Sequence, residues 1–251
     1  MAEPFLSVVI AAKNPPAELL RLCVSSFAAL ANAGRMEIVV VLSGAMAELP
    51  PPLMARFAAH AVVEVPPEGI YAAYNAGISA SRGSYVLFFG VDDIALPGVD
   101  FVVDELAADP GHYHLYAAAC YMQRVGFTAP SRHRASLALR NWCHQGIFYL
   151  RSYLVGHPFQ VEYFAQADHK MNIDVVSNRS LRFKVSRELV AYFSAGGVSS
   201  SKPDLAFRRD FPSIVAKAYG RPLGALVRLK QIVIDAILGP PDKRFSVRLR
   251  R

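Results

Sequence analysis

The sequence has few cysteines and no long apolar segment, and these absences exclude several classes of protein. Cys23, Cys120 and Cys143 show no CxxC spacing, and each lies in an apolar stretch. We therefore expect buried free thiols, typical of a reducing cytoplasm, and not a disulfide framework. No run of 18 uncharged apolar residues is present, so no transmembrane helix is expected. Because Met1 to Pro4 leads directly into an apolar strand, no signal peptide is expected either.

Charged residues are also scarce, and the positive ones are unevenly distributed. They make up 19% of the 251 residues, against 53% hydrophobic residues, which is typical of a globular chain with a full core. Residues 208–251 contain 11 Lys and Arg and 3 Asp, a net charge of +8, so the other 207 residues sum to −1 against the total of +7. The basic character belongs to the C-terminal segment, and no nucleic-acid partner is predicted from it.

The most informative stretch is residues 69–93, GIYAAYNAGISASRGSYVLFFGVDD. Its apolar residues recur at i, i+3, i+4, i+7 and i+8 from Ile70, which predicts a helix. Gly83 is predicted to end this helix as a left-handed cap. Residues 85–89 form an unbroken apolar run, typical of a strand covered on both faces. Asp92 and Asp93 then follow at the carboxyl end of that strand, where open α/β sheets place their ligands.

Asp92 and Asp93 are candidate ligands of Mg²⁺ or Mn²⁺, which prefer oxygen atoms and usually take one or two carboxylates. Neighbouring side chains of a strand point to opposite faces, so both acids can reach one ion only if the chain turns. The Leu-Pro-Gly sequence at residues 96–98 favours such a turn. An isolated Asp-Asp pair more often caps a helix, but the apolar strand before this pair favours a metal site.

The remaining segments predict an α/β fold with a doubly wound, mostly parallel sheet flanked by helices. A first helix is expected to bury Leu19, Cys23, Phe27 and Leu30. Residues 1–207 are predicted to form one domain, and residues 208–251 a basic, amphipathic helical extension. Strands are predicted at 5–12, 36–42, 61–65, 85–89, 114–123, 147–150 and 181–193, with further helices at 53–60 and 99–107.

Five stretches together resemble family 2 glycosyltransferases with the GT-A fold, of the bacterial surface-polysaccharide type. They are FLSVVIAAKN at the start, the stretch at 69–93, NWCHQGIFYLR at 141–151, QADHKMNIDV at 166–175 and YFSAGGVSSSK at 192–202. They follow the order and approximate spacing of the family and cover roughly residues 5–202. The resemblance implies inverting transfer of a sugar from a nucleotide-sugar donor to a glycan or lipid-linked acceptor, in cell-surface polysaccharide or glycolipid synthesis.

The resemblance also implies roles for individual residues. Asp93, with Asp92 nearby, would hold the metal beside the donor diphosphate. Asp168 would be the base that deprotonates the acceptor, with Glu162 as the reserve candidate, while Asp174 is more typical of a helix surface. His144 and Gln145 would lie on the acceptor side. The donor-binding residues would be Lys13, Asn14, Asn75, Asp92 and the closing-loop residues Gly196, Gly197 and Ser199.

The chain departs from the family pattern on the donor side. Acidic residues are expected after the second strand and around the helix at 70–80, but this chain has Leu-Ser-Gly at 42–44, Pro-Pro at 66–67 and Ala-Ala at 72–73. These gaps leave open a catalytically degenerate binding or scaffold module. A nucleotidyltransferase would need a Gly-rich loop with Lys or Arg after the first strand, and Ala-Ala-Lys-Asn at 11–14 is not one.

Two basic segments each allow two interpretations. The loop at 126–140, with Arg132, His133, Arg134 and Arg140, is either a solvated loop or a lid or acceptor surface. The C-terminal extension either packs on the domain or lies on anionic lipid headgroups. Contact of the C-terminal extension with lipid would imply a cytoplasmic protein that associates peripherally with the inner face of the membrane.

Overall fold

A computed structural model of the protein describes residues 3–28, 30, 33–43, 61–194, 202–239 and 241. The helix predicted at 53–60 lies outside these residues, as do Gly196, Gly197 and Ser199. In the described residues, nine strands form one sheet. They are β1 (Leu6–Lys13), β2 (Met36–Ser43), β3 (Ala61–Val65), β4 (Tyr85–Gly90), β5 (Ile94–Ala95), β6 (Leu115–Met122), β7 (Gly126–Thr128), β8 (Ile147–Leu150) and β9 (Phe183–Phe193).

The strand order is β3-β2-β1-β4-β8-β6-β9-β5, and β7 pairs with β6. The pairs β1–β2, β1–β4, β2–β3 and β6–β9 are parallel. The pairs β4–β8, β6–β8, β5–β9 and β6–β7 are antiparallel. Six strands therefore run in one direction, and β5, β7 and β8 run against them. The predicted α/β class with a mostly parallel sheet is confirmed.

Helices cover both faces of this sheet, because the central strands bury side chains on both sides. The first and third helices pack on one face, and the second, fourth and fifth pack on the other. The α-helices referred to below are α1 (Ala17–Ser25), α2 (Ile70–Ala80), α3 (Gly98–Ala108), α4 (Arg151–Gly156), α5 (Ala167–Ser177), α6 (Leu205–Tyr219) and α7 (Arg221–Leu238).

Helix α2 and strand β4 form as predicted, but the turn between them differs. Gly83 does not have a positive φ, so the predicted left-handed cap is wrong. Instead, Ser81 follows the helix in an extended conformation, and its hydroxyl donates to the Gly77 carbonyl at 2.7 Å. Gly83 is required for another reason, since a Cβ there would lie 2.7 Å from the backbone nitrogen of Ser7. The turn therefore packs directly against β1.

Two helices bury their predicted faces except at the first residue, where the neighbouring position is buried instead. In α1, Leu20 is fully buried, whereas Leu19 is 39% exposed. In α2, Tyr71 is buried and Ile70 is only half-buried. Periodicity locates the apolar face of a helix, but the neighbouring strands decide which residue at its edge is covered.

A buried carboxylate, Glu37 of β2, joins three segments of the N-terminal half. It is 1% exposed and accepts hydrogen bonds from the Ser7 hydroxyl at 2.6 Å and from the Arg82 backbone nitrogen at 2.5 Å. The Arg82 guanidinium also donates to it at 2.9 Å. Because Ser7 accepts a further hydrogen bond from the Gly83 nitrogen at 2.8 Å, β1, β2 and the turn before β4 are held together.

The basic segment at 126–140 is more ordered than a solvated loop. It contains β7 and a 3₁₀ turn, Arg134–Ala138. The Arg134 guanidinium donates to the Val176 carbonyl and lies 4.9 Å from the centre of the Phe183 ring. Arg134 is therefore a packing residue of the fold.

The C-terminal helices form a hairpin that packs on the rest of the chain through α6. Phe207 and Val215 of α6 are buried, and Val227 of α7 packs with Val215 and Ala138. Gly224 allows the two helices to approach closely, since a Cβ there would lie 2.5 Å from that of Ala216. Helix α6 spans the predicted domain boundary at residue 207, and this boundary stays a prediction. In the described part of the chain, no helix is both long and apolar enough to cross a membrane.

Candidate active site

A cavity of about 1510 Å³ opens at the carboxyl end of β1 and β4. Its floor includes Lys13 from β1, Tyr71 and Tyr74 from α2, and Asp92 and Asp93 after β4. Further lining residues come from the segment between positions 122 and 145 and from the start of α5. The predicted acids Asp92, Asp93 and Asp168 and the predicted acceptor-side residues His144 and Gln145 all line this one cavity.

Asp93 is almost completely buried and is fixed by three hydrogen-bond donors. One carboxylate oxygen accepts from the Gly90 nitrogen at 2.9 Å and from the Gln145 amide at 2.8 Å. The other accepts from the Ser194 nitrogen at 3.1 Å. Burial raises the pKa of Asp93 to about 6, partly offset by the hydrogen bonds from Gly90, Ser194 and Gln145. Its position is therefore set by β4, β9 and the segment before β8.

The chain turns at Gly90, which brings Asp92 and Asp93 to the same place. The Asp93 nitrogen donates to the Gly90 carbonyl at 3.3 Å and closes the turn. A Cβ on Gly90 would lie 2.9 Å from an oxygen of Asp92 and 3.0 Å from one of Asp93, so both carboxylates fold back over this glycine. Two carboxylates in this arrangement suit a divalent cation that takes its other ligands from phosphate and water. Within the described residues, no group of three or more His, Cys, Asp or Glu side chains could hold a metal ion.

Asp168 lies in the first turn of α5 and is held by two side chains. The Tyr71 hydroxyl donates to one oxygen at 2.6 Å, and the Asn141 amide donates to the other at 2.7 Å. Burial and the charge of Asp168 raise the pKa of Tyr71 well above its usual value, so the phenol keeps its proton. The helix N-terminus also favours the negative charge on Asp168.

Asn141 is itself held by a chain of hydrogen bonds. Its carbonyl oxygen accepts from the Asn172 amide at 2.9 Å, and the Asn172 oxygen accepts from the Tyr149 hydroxyl at 2.7 Å. Asn172 and Tyr149 are fully buried. The orientation of the Asp168 carboxylate is thus determined by the core beneath it.

His144 lies beside Asp168 within a cluster of aromatic rings. Its Nδ1 is 3.6 Å from an oxygen of Asp168, and its ring stacks on Phe88 with centroids 5.1 Å apart. Burial lowers the pKa of His144, although Asp168 acts in the opposite direction, so the ring is neutral at pH 7. Neither ring nitrogen has a hydrogen-bond partner among the described residues. Both nitrogens are also buried, so a ligand could bond to one of them only if the rings around His144 moved.

Tyr74 of α2 is buried and is influenced by the charges of both buried acids. Burial raises its pKa, and the charges of Asp93 and Asp168 raise it further. One aromatic residue of α2 thus experiences both carboxylates, which places the candidate metal site and the candidate base in one electrostatic environment.

Of the predicted donor-binding residues, Lys13 lies at the cavity, whereas Asn75 binds a neighbouring segment of the backbone. Lys13 is exposed and lines the cavity. Asn14 follows it with a φ of 45°, a left-handed conformation that asparagine tolerates. Asn75 is not among the residues that line the cavity; its amide binds the backbone nitrogen and carbonyl of Phe159, both at 2.9 Å. Asn75 therefore fixes the segment that covers His144.

Two further acids, Asp174 and Glu162, do not line the cavity, and the three cysteines are free thiols as expected. Asp174 is on the surface of α5, paired with Lys170 at 2.5 Å. Glu162 is exposed and does not line the cavity. Cys23 and Cys120 are buried and Cys143 is half-buried, all three as free thiols.

Sequence reasoning missed the residues that hold the two acids, namely Tyr71, Asn141 and the role of Gln145. Tyr71 is 97 positions from Asp168, so the sequence shows it only as part of a predicted helix. Gln145, which is predicted on the acceptor side, also donates to Asp93 across 52 positions. Polar residues at buried positions of the motifs were the available signal.

Comparison with protein families and curated proteins identifies relatives of this chain. The family model for glycosyl transferase family 2 matches residues 7–190. A PGL/p-HBAD biosynthesis glycosyltransferase of Mycobacterium tuberculosis is 30% identical over 227 residues, covering 84% of this chain and 86% of its own. The protein of the same description from Mycobacterium bovis matches to the same extent.

Comparison with solved structures identifies similar folds at low sequence identity. A crystal structure of Staphylococcus aureus TarS 1-349 in complex with UDP-GlcNAc has a TM-score of 0.65 and 16% identity, covering 88% of this chain and 70% of that one. The mannosyltransferase PcManGT from Pyrobaculum calidifontis, in complex with GDP-Man and Mn²⁺, has a TM-score of 0.56 and 15% identity, covering 95% and 77%. The overall chain path is therefore that of these GT-A-type glycosyltransferases.

Proposed function

The chain belongs to glycosyl transferase family 2, and from this premise we propose that it transfers a sugar from a nucleoside diphosphate sugar to an acceptor hydroxyl. The observation that carries this proposal is one cavity lined by Asp92, Asp93 and Asp168 together. Asp92 and Asp93 suit the cation of the donor diphosphate, and Asp168 suits a base. The nucleotide-sugar complexes of similar structures support the donor class.

The residues after β4 fit a divalent cation, Mg²⁺ or Mn²⁺. Asp92 and Asp93 together would hold it, with Asp93 fixed by its three donors and Asp92 lining the cavity. A cation there would offset the negative charge that develops on the departing diphosphate. The Mn²⁺ in the PcManGT complex supports this choice of ion.

Asp168 would act as the base on the acceptor side. One of its oxygens takes the proton of the acceptor hydroxyl as that oxygen attacks the anomeric carbon. The bond between the anomeric carbon and the diphosphate oxygen breaks, and its electron pair leaves with the diphosphate. Attack from the face opposite the leaving group inverts the anomeric configuration. Tyr71 and Asn141 keep the carboxylate oriented, at 2.6 and 2.7 Å.

The other predicted site residues would support this reaction. Neutral His144 would hydrogen-bond the acceptor or a phosphate oxygen through a ring nitrogen that is otherwise unpartnered among the described residues. Lys13 and Asn14 would lie near the nucleotide, and Gly196, Gly197 and Ser199 would close over the donor. Gln145 would act through Asp93, which it contacts at 2.8 Å.

We also propose that the acceptor is a glycan or a lipid-linked molecule of cell-surface polysaccharide or glycolipid synthesis. The Mycobacterium relatives are PGL/p-HBAD biosynthesis glycosyltransferases, which supports a biosynthetic role of this kind. Such a role would place the enzyme in the cytoplasm, peripherally at the inner face of the membrane.

Helix α7 is the proposed membrane contact. Its outer face exposes large apolar side chains, among them Leu229 and Val233, which are 56% and 46% exposed. Arg221, Arg228 and Lys230 lie exposed on the same helix and suit anionic headgroups, each contributing about 1 kcal/mol near the surface. Replacing Leu229 and Val233 by Glu should abolish sedimentation with anionic vesicles. Val155→Glu is the matched control, because Val155 is 58% exposed on α4.

The proposed reaction is tested first by binding. A panel of nucleoside diphosphates and their sugars, with and without Mn²⁺, should raise the melting temperature for one nucleotide in a metal-dependent way. The shift with Mn²⁺ should disappear in Asp93→Asn. A panel with no shift for any nucleotide would contradict the donor proposal and favour a binding or scaffold role.

The base is tested by transfer rates. Asp168→Asn keeps the shape of the side chain but removes the proton acceptor, so kcat should fall about 10² to 10⁴-fold while nucleotide binding persists. Glu162→Gln, which changes an exposed acid outside the cavity, should retain activity. A transfer rate unaffected by Asp168→Asn would show that another group takes the proton.

A further inference from the structure

Exposed apolar side chains form part of the cavity lining. Val125, Phe127 and Leu139 are 57%, 46% and 67% exposed, and all three line the cavity. Single exposed apolar residues are common on protein surfaces, but several that share one cavity mark a ligand surface. We call Val125, Phe127 and Leu139 the apolar wall.

The backbone holds the apolar wall in place. The Val125 nitrogen donates to the Met122 carbonyl at 3.0 Å, and Gly126 has a φ of 85°, so β6 and β7 are joined by a tight turn. Phe127 pairs with Tyr121 across this hairpin, and the Arg187 guanidinium lies 5.4 Å from the centre of the Phe127 ring. The exposure of these side chains is therefore a property of an ordered hairpin.

Leu139 joins the wall to the candidate base. It follows the 3₁₀ turn Arg134–Ala138, and its nitrogen donates to the Ser136 carbonyl at 2.9 Å. The next residue but one, Asn141, donates to Asp168 at 2.7 Å. The wall thus begins two residues from the side chain that orients the proposed base.

The cavity is large enough for two ligands. Sites for one small molecule usually have about 300–1,000 Å³, whereas this cavity has about 1510 Å³. Lys13, Asp92 and Asp93 line the part of the cavity proposed for the donor, whereas Leu139 of the wall lies two residues from Asn141, which donates to Asp168. The wall is therefore placed to contact the acceptor.

We propose that the apolar wall binds an aryl or alkyl group of the acceptor, carried next to the hydroxyl that receives the sugar. This inference rests on the proposed glycosyl transfer and names the class of its acceptor. Val125 and Leu139 offer no hydrogen-bonding group, so they cannot satisfy the hydroxyls of a purely polar glycan. An aryl or alkyl group would instead remove all three side chains from water.

The test compares acceptor analogues that differ only in the group on the anomeric oxygen. Methyl, phenyl and octyl glycosides of several monosaccharides are titrated, below any micelle concentration, into the full chain with the nucleoside diphosphate and Mn²⁺. The dissociation constants are measured by calorimetry. Phenyl or octyl glycosides should bind about 10-fold or more tightly than the methyl glycosides, because an apolar group leaves water.

Two substitutions test whether the apolar wall causes this preference for phenyl and octyl glycosides. Val125→Ser and Leu139→Ser should each reduce it several-fold, while affinity for the nucleoside diphosphate stays the same. Val155→Ser is the matched control, because Val155 is 58% exposed, like Val125, but does not line the cavity. It should retain the full preference.

Two results would overturn the inference and leave the proposed function standing. One is equal affinity for methyl, phenyl and octyl glycosides. The other is a preference that survives both wall variants, which would place the apolar group elsewhere, such as on the outer face of α7. Failure of the proposed function would be distinct, since no nucleoside diphosphate would then bind with or without Mn²⁺.

Discussion

The buried carboxylate of Asp93 should make the metal-free protein less stable as the pH rises. Its pKa is about 6 in the folded state, mainly because of burial, against about 3.9 for an unfolded aspartate. Between these values the folded protein binds a proton that the unfolded chain has lost. The free energy of unfolding therefore decreases as the pH rises through this interval.

The size of this effect follows from the difference in bound protons. From pH 5.0 to 7.5 the unfolded carboxylate stays ionised, while folded Asp93 loses most of its proton. Only the part of the interval below the folded pKa contributes, which is about one pH unit. The contribution of Asp93 to the free energy of unfolding should thus fall by about 1.4 kcal/mol.

The assay is urea unfolding in the presence of a chelator at pH 5.0 and 7.5, for the unchanged protein and for Asp93→Asn. Burial lowers the pKa values of His144 and His169, so their contribution to stability decreases as the pH falls below about 6.5. That opposing effect is present in both proteins and cancels in the comparison. Asp93→Asn should therefore gain about 1.4 kcal/mol relative to the unchanged protein between pH 5.0 and 7.5. An identical pH dependence in the two proteins would refute the reasoning.

Three further substitutions test how the site is held. Tyr71→Phe removes one donor to Asp168, so kcat should fall about 10-fold or more with little change in nucleotide affinity, both measured by steady-state kinetics. Glu37→Ala removes the acceptor of several buried donors and should cost about 3–5 kcal/mol in urea unfolding; a cost below 1 kcal/mol would contradict this. In Gly146→Ala, the added Cβ would lie 2.6 Å from a β6 carbonyl, so Mn²⁺ affinity and kcat should fall together; loss of only one would show that the two acids are positioned independently.

The elements of the fold could be predicted because they depend on local pattern. The strands β3 and β8 have the predicted bounds, since apolar runs between turn residues determine them. The role of Gly83 could not be predicted, because it depends on contact with Ser7, a residue 76 positions earlier. A glycine in a sequence indicates backbone freedom or close approach, and only the packing distinguishes them.

The acids of the site could be predicted, but their supports could not. Asp93 follows an apolar strand, and this local context identified it. Tyr71 and Asn141 contact Asp168 from positions 97 and 27 residues away, so no local pattern links them to it. Similarly, the apolar wall depends on exposure, and the sequence does not distinguish an exposed Leu139 from the buried Leu137 two residues before it.

The segment 141–146 explains how two acids from distant parts of the chain form one site. Asn141 donates to Asp168, and four residues later Gln145 donates to Asp93. Gly146 holds the segment against β6, where a Cβ would lie 2.6 Å from the Ala118 carbonyl and 2.8 Å from the Cys120 sulfur. Because this one short segment contacts both carboxylates, their separation is set by the segment and not only by the turn that carries Asp93 and the helix that carries Asp168. A base and a metal-holding pair positioned by the same backbone meet the main requirement of group transfer, which is a fixed distance between the two reacting ends.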